Sequence, residues 1–100
     1  MTQPTAYDLL AQHHTRAYDI EAADTWADLV SNVNGENHPM TQAARKDTAA
    51  LPQPRPVPNM TEQERHNAKD KATRNLKAAV ARKDTRTQTI MRRIIEHVSA

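Results

Sequence analysis

The sequence predicts an all-α protein: a small helical bundle of three to four helices, with an acidic N-terminal half and a basic C-terminal half joined by a proline-rich segment. Three observations carry this. Sixteen of the 100 residues are Ala and only one is Gly; alanine is the best helix former and glycine the ordinary residue that weakens helices most. Apolar residues recur at spacings of three and four, the period of one helix face, and Val and Ile never alternate over a run long enough to build a strand. Four of the six prolines fall within Pro52–Pro58, where they forbid helix and favour an extended chain. At this length a single helical domain over residues 1–100 is expected.

The first helix is expected over 6–33. Thr5 is a good N-cap, and Asp8 lies three residues on, where a carboxylate meets unpaired amides. Tyr7, Leu10, Ala11, His14, Tyr18, Ala22, Trp26, Leu29 and Val33 form one stripe. Ile20 falls off it, which predicts a bend or break between Asp19 and Asp24. Asn34-Gly35 is a stop, because glycine accepts the left-handed conformation at little cost. A short helix follows over 39–51, with Pro39 at the first helical position and Met40, Ala43, Ala44 and Leu51 facing inward. The segment 52–58 reads as a stiff spacer; the other reading is a ligand for an SH3-like or WW-like groove. Thr61-Glu62-Gln63-Glu64 is a capping box that opens a helix over 62–83, whose weak apolar face is Ala68, Ala72, Leu76, Ala79 and Val80. Asp84-Thr85 predicts a break or kink and a new cap, with Gln88 completing a second box; the other reading is one long helix over 62–98. The helix over 85–98 carries Ile90, Met91, Ile94, Ile95 and Val98, the strongest amphipathic signal in the chain. That stripe is read as core, with a dimer seam as the alternative.

The core is expected to be thin. Leu, Ile and Val total fourteen and Phe is absent, so a partner, a metal or a second copy would help to stabilise the fold. Tyr18 and Trp26 are therefore expected inside; exposed, either is an anchor for a partner. No cysteine is present, which excludes disulfides, thiol nucleophiles and Cys-zinc sites. Met1 to Leu10 shows no basic region followed by an apolar run, so no signal peptide is expected. No apolar stretch approaches the ~20 residues of a membrane span. A cytoplasmic protein without membrane contact is expected.

Charge layout is the most informative functional signal. Residues 1–50 hold seven acids and three bases, net −4, and residues 51–100 hold eleven bases and five acids, net +6. Such asymmetry points to a nucleic-acid or acidic-protein surface on one half. The candidate basic face is Lys71, Arg74, Lys77, Arg82, Lys83, Arg86, Arg92 and Arg93, able to track phosphates. The candidate acidic face is Asp19, Glu21, Asp24 and Asp28, able to mimic nucleic acid before a basic surface. Attraction between the two halves, within the fold or between subunits, is the competing reading. No helix-turn-helix, Cys/His finger, aromatic RNA-binding strand or glycine-rich phosphate loop occurs.

No catalytic or cofactor site is expected. His13, His14, His38, His66 and His97 form no His-x-x-x-His pair, and His13 and His14 point about 100° apart on a helix, so no metal site is assigned. His14 is expected to pack on the apolar stripe beside Tyr18, and the other histidines to be solvated. Asp24 and Asp28 lie one turn apart and read as charged surface. The only serines are Ser31 and Ser99, and neither sits in a nucleophile elbow.

In overall character the chain is similar to the small accessory proteins of phages and other mobile elements: about this size, helical, cysteine-free and without a catalytic signature. Anti-CRISPR inhibitors, phage regulators and packaging accessories are groups of this type. The resemblance is one of type over the whole chain; no residue carries it and it transfers no site residues. The function expected is a non-enzymatic interaction protein that binds and regulates or inhibits a larger protein or nucleoprotein assembly. The alternative is a nucleic-acid binder using the basic helix 65–93, and a homodimer is a further expected state.

Overall fold

The chain is all-α, the helical-bundle class that its composition predicts. A computed structural model describes residues 3–100; the first two residues of the expected 1–100 domain lie outside it. The elements are α1 (Ala6–Asn34), α2 (Pro39–Ala49), α3 (Glu62–Ala81) and α4 (Thr85–Ser99), and no strand occurs among the described residues. Contacts group the chain into two compact units, one built from the chain up to Thr15 with Arg55–Ala100, the other from Arg16–Pro54. The expected break between Asp19 and Asp24 is absent: α1 is continuous. No Gly or Pro interrupts that stretch, and the Thr25 hydroxyl donates to the Glu21 carbonyl at 2.9 Å within the helix.

In the first unit, α3 and α4 form a helical hairpin. Thr61 caps α3 with the full reciprocal box. Its Oγ1 accepts from the Glu64 amide at 3.1 Å, and the Glu64 carboxylate accepts from the Thr61 amide at 3.0 Å. The buried face of α3 is made of alanines, Ala68, Ala72 and Ala79, while α4 buries Ile90, Met91, Ile94 and Val98. Small residues on one helix thus face large ones on the other, the pairing that lets two helices pack closely. Val80, expected inside, is about half exposed. From α1, Leu10 is fully buried. Tyr7 ties three helices together: its hydroxyl donates to the Met91 sulfur at 3.3 Å and accepts from Asn75 Nδ2 at 2.8 Å. The start of α1 carries its own box, Thr5 with Asp8, and these bonds from the Thr5 amide and hydroxyl hold the Asp8 carboxyl below its usual range.

The hairpin reverses in three residues. The Asp84 amide donates to the Ala79 carbonyl at 2.9 Å and the Lys83 amide to the Val80 carbonyl at 3.1 Å, the paired bonds of a Schellman motif. This ends α3 at Ala81, short of the expected 83. The left-handed position is held by Lys83, with φ of 59°, where glycine is the usual occupant. Asp84 then caps α4, accepting from the Thr87 amide at 3.0 Å. Gln88 does not complete a second box; its amide donates instead to the Ala79 carbonyl at 3.4 Å.

In the second unit, Gly35 turns the chain with φ of +88°. His38 caps α2 through its Nδ1, which accepts from the Met40 amide at 3.1 Å, and Pro39 takes the first position. α2 ends at Ala49, two residues before the expected 51. Its inward row is Thr41, Ala44, Arg45 and Thr48. The expected inward residues Met40 and Ala43 are exposed. Thr41 takes the buried place because its hydroxyl donates to the Gly35 carbonyl at 2.7 Å. On α1 the buried residues of this unit are Ala27 and Val30. Segment 52–58 has no regular structure. Within the second unit Arg16 donates to the Gln53 carbonyl at 3.2 Å, and within the first His13 Nδ1 donates to the Arg55 carbonyl at 2.5 Å.

Left-handed backbone strains any side chain with a Cβ. Lys83→Gly is therefore expected to raise stability by about 0.5–1 kcal/mol, read as a higher denaturant midpoint with an unchanged slope.

Candidate interaction surface

The acidic unit carries an apolar ridge. Trp26 is 57 % exposed, Leu29 54 % and Val33 76 %. They are spaced at three and four residues and so project from one face of α1. The expected inward stripe is thus out of phase in this half of the helix. Trp26 and Leu29 are each replaced in the interior by the residue that follows, Ala27 and Val30. The unit has only a second short helix to pack against, and small side chains admit the closer approach. Met40, at the start of α2, is also 56 % exposed. Trp26, expected in the core, is exposed; Tyr18 is half-buried. The residue types of the ridge were visible in the sequence, but its exposure was not, because periodicity marks a face without saying which of two adjacent faces turns inward.

The candidate acidic residues separate on the helix. Glu21, Asp24 and Asp28 lie on one side of α1, and Asp19 projects close to the direction of Trp26, two turns earlier. Arg45 reaches across from α2 to Asp28 at 2.8 Å and Glu36 at 3.0 Å, and Ser31 donates to Glu36 as well. These bonds hold the Glu36 carboxyl below its usual range and the Arg45 guanidinium above its own. The unit Arg16–Pro54 contains six acids and three bases, net −3.

The candidate basic residues all lie in the other unit, which has eleven bases and six acids, net +5. They do not form one face. Arg74 and Lys77 project away from the buried alanines of α3 and are exposed. Lys71 is exposed as well but is engaged: its Nζ sits 4.7 Å above the Tyr7 ring and 4.0 Å from Asp8, so it lies along the contact of α1 with α3. Arg82 lies 3.8 Å from Asp84, whose carboxyl is held low chiefly by its bonds from Thr87. Lys83 is exposed at the hairpin turn, and Arg86, Arg92 and Arg93 lie along α4, with Arg92 well apart from the direction of Arg86 and Arg93. A shallow cleft between Pro4–Tyr7 and α3 is bordered by Glu64, Asp70, Lys71 and Arg74; its mixed charge selects no single ligand class.

Three histidines meet in the same unit. The His14 ring lies edge-on to His13, 5.0 Å between centroids, and to His97, 5.9 Å. Neither His13 nor His97 is the solvated side chain expected; both are half-buried. The buried His14 Nε2 has no protein hydrogen-bond partner. Burial, then the neighbouring His13, His97 and Arg93, lower the His14 pKa to about 4. Among the described residues no group of three or more His, Asp or Glu side chains is arranged to hold a metal ion. No described helix is long and apolar enough to cross a membrane.

No protein-family model matches the chain, and no curated protein or solved structure matches it.

The histidine cluster gives a signed pH dependence. Unfolded, His14 takes up a proton near pH 6.5; folded, it does so only near 4. Between these values the unfolded chain binds more protons, so stability falls as pH drops from about 6.5 towards 4. Chemical denaturation across this range is expected to show that loss, and His14→Gln to flatten it.

Proposed function

We propose that this chain is a non-enzymatic cytoplasmic interaction protein that binds a larger protein or nucleoprotein assembly and regulates or inhibits it, with the Trp26–Leu29–Val33 ridge as its docking element. The observation that supports this is the exposure of those three side chains on one face of an acidic helix. Large apolar groups grouped on a surface mark interaction sites, whereas single exposed ones need no explanation. Tryptophan in particular concentrates binding energy when a partner covers it. The chain has few large apolar residues, and here it leaves three of them outside its own core.

A second reading, nucleic-acid binding through the basic helices within 65–93, is favoured by one observation: Arg74 and Lys77 stand exposed on a unit of net +5. Phosphate contacts of this kind weaken steeply with salt.

Affinity capture from source cells separates the readings. The wild-type chain is expected to retain a defined protein set, and Leu29→Asp to lose it at least about tenfold, a change of ~1.4 kcal/mol. Recovery of the same set by Leu29→Asp rules out the ridge. For the second reading, titration with duplex and single-stranded DNA across a salt series is expected to give binding at low salt that Arg74→Glu with Lys77→Glu removes. No binding at low salt rejects it.

A further inference from the structure

We propose that the occupant of the α1 ridge is a basic amphipathic helix of a partner protein, a specification that rests on the ridge being the docking element. Ala22, Trp26, Leu29 and Val33 are all exposed and follow one another at four, three and four residues. That spacing is the apolar seam of a two-helix coiled coil, a line of knobs that another helix covers along its length. A helix laid on such a line is one of the recurring modes of recognition.

The flanks decide the charge of the occupant. On one side of the ridge α1 turns into its own unit through Ala23, Ala27 and Val30. On the other come Thr25 and Asn32, short and neutral, and beyond them Glu21 and Asp28, with Asp24 further round. Lysine and arginine lay an apolar stem along a surface and carry the charge at its tip. From a helix on the ridge, such side chains cross the low Thr25–Asn32 row and end at the carboxylates. Asp28 already receives one guanidinium in this way: Arg45 binds it at 2.8 Å from the α2 side. With Arg45 counted, the unit still carries net −3, so a basic helix is attracted and an acidic one repelled. The same charge opposes a second copy, which would bring two acidic units together.

Trp26 is the sole tryptophan, and its fluorescence reports the ridge directly. The full chain is titrated with three synthetic helical peptides that share one leucine seam and differ in their flanking positions, all Lys, all Gln or all Glu. The Lys peptide is expected to blue-shift Trp26 emission and to bind at least about tenfold tighter than the Gln peptide. Added salt narrows that gap, and the Glu peptide does not bind. Leu29→Asp, at an exposed position where circular dichroism checks that the helix content is kept, abolishes the shift. Glu21→Lys with Asp28→Lys removes the preference for the Lys peptide. Equal affinity for the Lys and Gln peptides, both lost in Leu29→Asp, overturns the basic occupant and leaves the docking ridge standing. No shift with any peptide overturns the helical occupant, while loss of captured protein in Leu29→Asp still separates that result from failure of the ridge itself. Concentration-dependent dimerisation that buries Trp26 overturns the proposal in favour of a second copy.

Discussion

The close approach of α3 to α4 is the constraint on which the basic unit depends, and three alanines set it. Ala68, Ala72 and Ala79 are fully buried, and their size lets Ile90, Met91, Ile94 and Val98 fill the space opposite. With fourteen Leu, Ile and Val and no Phe in the whole chain, a looser hairpin would leave gaps that nothing in the sequence can occupy, and unfilled volume is costly. The short Schellman turn at Arg82–Asp84 follows from the same need. It brings α4 back onto α3 at once, even though Lys83 must take a left-handed backbone to do so. Tyr7 then fastens α1 to both helices through a single hydroxyl, and Lys71 closes over its ring.

The sequence was legible where local chemistry is self-sufficient. Thr61 and Glu64 form their box, Asp84 caps a new helix, and the α4 stripe is buried apart from the half-buried Ile95. All three depend on residues within one or two turns of each other. The phase of the other helices was not legible. On α1 the large residues Trp26 and Leu29 define a convincing face, yet their neighbours Ala27 and Val30 go inside. On α2 the interior is taken by Thr41 and not by Met40. In both cases the period was right and the face was rotated by one residue. Hydrophobic volume ranks the two faces one way; the short reach of α2 and the Thr41–Gly35 hydrogen bond rank them the other way, and that bond joins elements whose packing the sequence does not display.

The candidate charges show a related effect. The halves of the sequence do not coincide with the contact units, which divide near Thr15 and Pro54 and not at the middle of the chain. Lys71 is spent on Tyr7 and Asp8, and Arg45 on Asp28 and Glu36. What remains is a basic hairpin with Arg74 and Lys77 outermost and an acidic helix pair bearing an apolar ridge. The histidines meet only because the start of α1 shares a unit with α4: His13 and His14 are neighbours in sequence, while His97 arrives from the far end of the chain. Their spacing in sequence carries no trace of that meeting.

Segment 52–58 has a consequence of its own. Pro52, Pro54, Pro56 and Pro58 occupy every second residue, and in an extended chain alternate residues present their amides to the same edge. Proline has no amide hydrogen, so one edge of this segment offers carbonyls and no donors. His13 and Arg16 use carbonyls of the intervening residues. An approaching strand would find half of its hydrogen-bonding ladder missing along that edge. The stretch that most nearly imitates a β-strand thus has one edge closed to pairing, and a protein made otherwise of helices gains a partial guard against aggregation at its least regular point.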